Sequence, residues 1–394
     1  MKYLAVLGRL SDISLAELTA FFGDSVKKIA PSLAVFETDK TVDINRFGGT
    51  MKFGQLITSD PVDFLLNLKD VDGKDFSGKI VLGVSDYSKG ASSRKANSEA
   101  MKLKKILSRK GRSVRVLSNK SAALSTATSH HNQLSEKPGH VELLIVGKEY
   151  YSLIGVQNIT AYAKRDQARP ARDAKVGMLP PKLAQILINL CGDLPKDSTI
   201  LDPFCGTGVV LQEAHLMGYN VYGTDLSDRM IEYSEKNLKW LTDDQKNTFS
   251  SGPKDLGQRP GVGPEKRYSL EVGDATDHTW TGKIDAVACE TYLGAPMSLP
   301  PVDIKLKEQK AECSRIILGF LKNISAQIES GTPLAIAVPA WLRPNGHYER
   351  LNILDSIEDL GYNVLKFNHL GQTDMLYHRE GQVVAREIIV LRKK

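Results

Sequence analysis

Hydrophobic and polar positions follow two different rhythms along the chain. In the first 160 residues, short apolar runs at 3–7, 79–84, 113–117, 141–146 and 150–156 read as strands, the last two joined by a tight turn at Gly147-Lys148-Glu149. Between them, Ala96, Ala100, Leu103, Ile106 and Leu107 recur at helical spacing over 93–110, with lysines and arginines on the opposite side. Residues 14–22 predict another helix, because Ser14 followed by Glu17 makes a capping-box pattern. These elements predict an α+β domain over 1–157.

The rhythm changes after a polar, proline-containing stretch, 158–181, that reads as a linker. From 182 to 394, helices predicted at 182–190, 208–217, 228–241, 306–329 and 348–360 are interleaved with strands at 199–201, 220–223, 268–272, 284–288 and 334–338. Alternation of this kind predicts an α/β domain with a parallel sheet covered on both faces. Two final strands, 364–368 and 383–391, are joined by a segment too short for a helical crossover and should be antiparallel. The Gly-, Pro- and Asp-rich stretch 242–267 reads as a flexible insertion.

Composition narrows the classes. With 394 residues, 41% hydrophobic and 25% charged, the chain can build ordinary cores. It has no apolar run of the roughly 18 residues a membrane span needs. The apolar stretch at the N-terminus is too short for a signal peptide and has no small-residue cleavage site after it, so a soluble, cytoplasmic protein is expected. Cys191, Cys205, Cys289 and Cys313 lie far apart with no Cys-x-x-Cys pair, which argues against disulfides and a structural zinc; no metal is expected. Adjacent His130 and His131, with Thr128 and Asn132, suit an RNA contact, a cap or a plain loop better than a metal site.

Charge changes the picture more. Residues 1–165 carry 25 Lys and Arg against 16 Asp and Glu, and residues 166–394 carry 27 against 30, within an overall charge of +6. Eleven basic residues and one acid, Glu99, fall between 89 and 120. A basic module joined to a slightly acidic one suggests a polyanion-binding half and a catalytic half; on charge alone, a solvated helix face reads equally well.

The most specific chemistry is Asp202-Pro203-Phe204-Cys205-Gly206-Thr207-Gly208, between a strand and a helix. Its glycines let a ligand approach the backbone, as in dinucleotide sites, but Leu211 stands where the third glycine of such a motif belongs. Asp202 would repel a pyrophosphate and attract a cation, and S-adenosylmethionine carries an ammonium and a sulfonium without phosphate. Asp225 ends the second strand, where a carboxylate can bond ribose hydroxyls, and Asp274 follows the third, where a side chain can meet the adenine amine. Capping the following helix is the alternative for Asp202 or Asp225, but three acids ending three successive strands favour the ligand reading. The predicted cofactor-binding set is Asp202, Cys205, Gly206, Thr207, Gly208, Asp225, Leu226, Asp274 and Ala275. Cys205 has no histidine near it in the motif and reads as a small packing residue.

In these residues the chain resembles the class I S-adenosylmethionine-dependent amino-methyltransferases, whose first motif reads Asp-Pro-Phe-Cys-Gly-Ser/Thr-Gly. The stretch Arg169-Pro170-Ala171-Arg172-Asp173-Ala174-Lys175-Val176-Gly177-Met178-Leu179-Pro180-Pro181-Lys182-Leu183-Ala184 is similar to the segment preceding that motif in the THUMP-domain tRNA guanosine-N2 methyltransferases. The resemblance implies a seven-stranded Rossmann-like methyltransferase domain beside an N-terminal THUMP-like RNA-binding domain, with tRNA as partner. Amino methylases place Asp/Asn-Pro-Pro-Tyr after the fourth strand, to accept the amine's N–H bonds and stack on its base. Here Cys289-Glu290-Thr291-Tyr292 follows instead: Glu290 takes the acid position, both prolines are missing, and Tyr292 comes one residue early. Glu290 and Tyr292 are the catalytic candidates. The expected reaction is methylation of guanosine N2 in tRNA; a DNA adenine-N6 or cytosine-N4 methylase and a noncatalytic RNA-binding homologue are the alternatives. Trp341 borders the target pocket or belongs to the core.

Overall fold

A computed structural model describes residues 1–173, 179–249, 268–367 and 370–394. Two units emerge from it: Met1–Leu15 with Phe22–Tyr162, and Ala16–Phe21 with Ala163–Lys394.

The elements of the N-terminal part are β1 (Lys2–Leu7), α1 (Ser11–Phe22), β2 (Lys27–Ala30), β3 (Leu33–Glu37), β4 (Thr50–Leu56), α2 (Pro61–Leu66), β5 (Ile80–Asp86), α3 (Ser93–Arg109), β6 (Val114–Val116), α4 (Thr126–His131), β7 (His140–Val146), β8 (Glu149–Val156) and α5 (Ile159–Gln167). The strands form one sheet in the order β2-β3-β1-β4-β8-β7-β5-β6. Helix α3 is capped by Ser92, whose hydroxyl accepts from the Lys95 N–H, and buries Ala96, Ala100, Leu103 and Leu107. These pack on Ile80, Leu82 and Val84 of β5 and on Leu143 of β7. The opposite face leaves Arg94, Lys95, Lys102, Lys105, Arg109 and Lys110 exposed.

Three readings change here. Helix α1 starts at Ser11, so Ser14 is interior and its hydroxyl donates to Leu10 O at 3.0 Å; no capping box forms there. The stretch read as linker contains α5. Strand β4 escaped the periodicity because Lys52 sits 2% exposed in it, its ammonium donating to Glu142 and to Leu124 O. Ser85 and Ser129 complete the Glu142 shell, so the buried carboxylate is paired and hydrogen-bonded. His130 and His131 form the last turn of α4.

The C-terminal part holds α6 (Pro181–Leu190), β9 (Thr199–Asp202), α7 (Val209–Leu216), β10 (Asn220–Asp225), α8 (Asp228–Phe249), β11 (Tyr268–Val272), β12 (Ala286–Glu290), α9 (Asp303–Ser325), β13 (Pro333–Leu342), β14 (Tyr348–Arg350), α10 (Leu354–Asp359), β15 (Tyr362–Val364), β16 (Leu376–Tyr377) and β17 (Val384–Lys393). The sheet runs β11-β10-β9-β12-β13-β17-β15. Its first five strands are parallel, and β17 is antiparallel to both β13 and β15. The seven-stranded, mostly parallel order agrees with the Rossmann-like sheet expected above, with β14 and β16 added at its rim. The closing strands are antiparallel as predicted, but β15 ends at Val364, where the expected strand begins.

Other readings are corrected. The helix expected at 348–360 divides into β14 and α10, because Asn352 takes φ +56° between them. The fourth strand runs 286–290, not 284–288: Asp285 is spent on the Thr199 N–H at 2.8 Å, which sets the register and puts Glu290 on the strand's last position. Helix α8 continues past 241 to Phe249; the rest of the expected insertion, 250–267, lies outside the described residues, as do 174–178 of the pre-motif segment and Asn368. Trp341 is 0% exposed and belongs to the core with Phe320, Leu334 and Tyr362.

Candidate active site

Strand order reverses between β9 and β12, and ligands of open α/β sheets bind outside the carboxyl ends of strands at such a switch. Asp202 ends β9, Asp225 ends β10 and Glu290 ends β12, so three carboxyl groups meet at one edge.

The turn after β9 is left-handed at Gly206 (φ +51°) and Gly208 (φ +76°). A Cβ on Gly208 would stand 2.8 Å from Ser234 Oγ. Helix α8 braces the turn: the Ser234 hydroxyl donates to Gly206 O at 2.9 Å, and Asn237 Nδ2 donates to Thr207 O at 2.8 Å and to Ala171 O at 2.9 Å. Neither residue was a sequence candidate; their only signal is polar character on the buried face of an amphipathic helix. Leu211 fills the place of a third glycine, and a Cβ on Gly223 would meet it at 2.5 Å. Cys205 is buried, its thiol pushed well up by desolvation, so it packs and does not attack.

Asp202 is 2% exposed and accepts the Phe204 N–H. Burial, then the charges of Asp225 and Glu290, hold its carboxyl well above the usual range. Asp225 is also raised by burial, while its oxygens accept the Gly206 N–H at 2.9 Å and the Ser227 N–H at 3.0 Å. Among the described residues neither acid has a cationic side chain within ion-pair distance. Asp274 caps its own turn through Thr276 N–H and hydroxyl, which hold its carboxyl below the usual range. Ala275 is buried, but Leu226 is 73% and Val272 48% exposed, leaving an apolar shelf beyond β10 and β11.

Glu290 is ion-paired. Arg386 of β17, 5% exposed, donates its Nε to Glu290 Oε1. Tyr292 packs against the core under α9; burial, then Glu312 and Cys313, raise its phenol. Its loop is fixed by Gly294 (φ +86°) and by Gln309, which accepts the Ala295 N–H at 2.7 Å. Behind the glycine turn, Arg169 is 4% exposed and reaches Thr207 Oγ1 at 3.5 Å.

Residues 169–292 match the family described as RMKL-like, methyltransferase domain. The tRNA (guanine(10)-N2)-dimethyltransferase of Methanothermobacter thermautotrophicus is 30% identical over 179 residues, 45% of this chain and 44% of that protein. The enzyme of the same name from Pyrococcus abyssi is 35% identical over 125 residues, 31% of this chain and 30% of that protein. The chain thus spans less than half the length of these relatives. Among solved structures, TrmN from Thermus thermophilus aligns over 100% of both chains with 17% identity and a TM-score of 0.46. No described helix is long and apolar enough to cross a membrane.

Proposed function

We propose, from the premise that residues 169–292 are an RMKL-like methyltransferase domain, that this chain methylates an exocyclic amine of a tRNA base, guanosine N2, using S-adenosylmethionine. One observation carries the reading: Asp202 and Asp225, both desolvated and without a cationic partner among the described residues, flank a left-handed glycine turn at the sheet's switch point. Uncompensated buried carboxyls suit a ligand that brings positive charge and penalise one that brings a pyrophosphate. S-adenosylmethionine fits that donor set. Asp202 and the 205–208 backbone would hold its charged end, Asp225 its ribose hydroxyls, and Asp274 and Ala275, with the Leu226 shelf, its adenine. When bound, it supplies an electrophilic methyl group on sulfur.

The chain's own residues do the rest. An exocyclic amine conjugated to its ring is a poor nucleophile, so an acceptor must hold its N–H and aim its lone pair. Glu290, at the end of β12, is that acceptor and stabilises the positive charge developing on nitrogen. Tyr292 supports the base beside it. The names of the relatives support tRNA and guanine N2 as target. The exposed basic face of α3 supports a THUMP-like role for residues 1–157 in holding tRNA phosphates.

Calorimetry tests the cofactor. S-adenosylmethionine should bind and NAD should not. Asp225→Ala should lose tenfold or more in affinity, about 1.5–3 kcal/mol per charge-assisted bond removed. Binding of NAD, or an Asp225→Ala protein with undiminished affinity, would overturn the reading.

A further inference from the structure

The Glu290–Arg386 pair is only half used. Arg386 spends Nε on Glu290 Oε1, and among the described residues its Nη1 and Nη2 have no hydrogen-bond partner, nor has Glu290 Oε2. Yet the arginine side chain is 7% exposed and the glutamate 14%. None of these three atoms is sealed from solvent, so a largely buried ion pair keeps donors and an acceptor open to a ligand at the carboxyl edge of the sheet. Among the described residues, neither Asp202 nor Asp225 lies within ion-pair distance of a cationic side chain, and Arg386 pairs with Glu290 alone.

We infer that Arg386 is a base-reading residue: its free Nη groups donate to the carbonyl oxygen O6 of the target guanine while Glu290 Oε2 accepts from the guanine amine. The inference rests on the methyltransferase reading of the same site and goes beyond it in naming what selects the base. A guanine edge presents an acceptor, O6, at one end and the N2 donor at the other, with N1–H between. The free groups of the pair do not bond one another, so a donor and an acceptor remain available at the carboxyl edge of the sheet for the two ends of the guanine edge. Adenine and cytosine put their amine and ring acceptor on neighbouring atoms and would leave one group of the pair unmatched. The antiparallel insertion of β17 is what makes this possible: it brings the start of the strand, with Arg386, to the edge where β12 ends.

The test is single-turnover methyl transfer by the full chain to unmodified tRNA transcripts, comparing wild type with Arg386→Met. Each protein is assayed on guanosine and on 6-thioguanosine, placed at the position that nucleoside mapping of the wild-type product identifies. The thio base keeps N1–H and the amine but replaces O6 by a weak acceptor. Arg386→Met should slow transfer to guanosine about 10–10²-fold, the scale of one base contact. The thio base should cost the wild type a similar factor, and should cost the variant less than about threefold more, since the contact is already gone. Arg386→Lys, which keeps a charge and a donor, should recover most of the rate. Affinity for S-adenosylhomocysteine should be unchanged in both variants, which reports an intact fold.

An equal thio penalty in wild type and Arg386→Met overturns the role of Arg386 and leaves it a structural clamp. The wild-type arm needs no variant: an undiminished rate on 6-thioguanosine overturns the inference by itself. Transfer to adenine or cytosine by the wild type overturns the selection of guanine. No transfer by the wild type to any tRNA overturns the methyltransferase reading, and this inference with it.

Discussion

Asp202 is buried and, among the described residues, has no cationic partner, so its proton should respond to a charged ligand more than any other in the site. Its carboxyl lies well above the usual range because of burial, with Asp225 and Glu290 adding like-charge repulsion. A cationic ligand favours the ionised form, so binding must lower this value and release a proton. Affinity for S-adenosylmethionine should therefore rise with pH until the elevated Asp202 value is passed, and then level off. Calorimetry in buffers of different ionisation enthalpy measures the proton directly. Proton uptake on binding, or an affinity that falls as pH rises, would be the wrong sign. The residues legible in the sequence were those whose backbone chemistry is local: Asp202, Gly206, Gly208 and Asp225 announce themselves by spacing. Arg386 did not, because it lies 96 residues from Glu290 and only the sheet joins them.

At the scale of elements, the strand–turn–helix from β9 to α7 is held by contacts from α8. Gly208 is its tightest point, with φ +76° and Ser234 closing the space a side chain would need. Gly208→Ala should destabilise the protein by about 1–3 kcal/mol through left-handed strain and the clash. Its affinity for S-adenosylhomocysteine should fall with it. A denaturation midpoint equal to the wild type's would show that the turn relaxes freely. The order of strands and helices in the C-terminal part was readable because the central parallel strands, β12 and β13, are apolar along most of their length and alternate with helical periodicity. Boundaries were less so. Asp285 looked like part of β12 and is bonded to β9 instead, while Asn352 broke a helix that periodicity carried straight through. Strand β4 was missed for the opposite reason, a lysine inside a core that only its partner Glu142 on β7 explains.

For the whole molecule, the uneven charge is the feature that composition alone exposed. Five of the eleven basic side chains between 89 and 120 are exposed on α3, Lys102, Lys105 and Arg109 among them. If they neutralise tRNA phosphates, affinity should fall with salt at a log–log slope of roughly −0.7 to −0.9 per contact. Lys105→Glu with Arg109→Glu in the full chain should weaken binding and flatten that slope, without changing affinity for S-adenosylhomocysteine. A slope that stays at the wild-type value would move the tRNA surface elsewhere. The account as a whole turns on Glu290. Labelled methyl transfer to unmodified tRNA, read as nucleosides by mass spectrometry, should give N2-methylated guanosine with the wild type. Glu290→Gln should give the same product about 10²–10³-fold more slowly, with cofactor affinity retained, the scale for losing one electrostatic stabiliser. Methyl groups on another base, or full activity in Glu290→Gln, would contradict it.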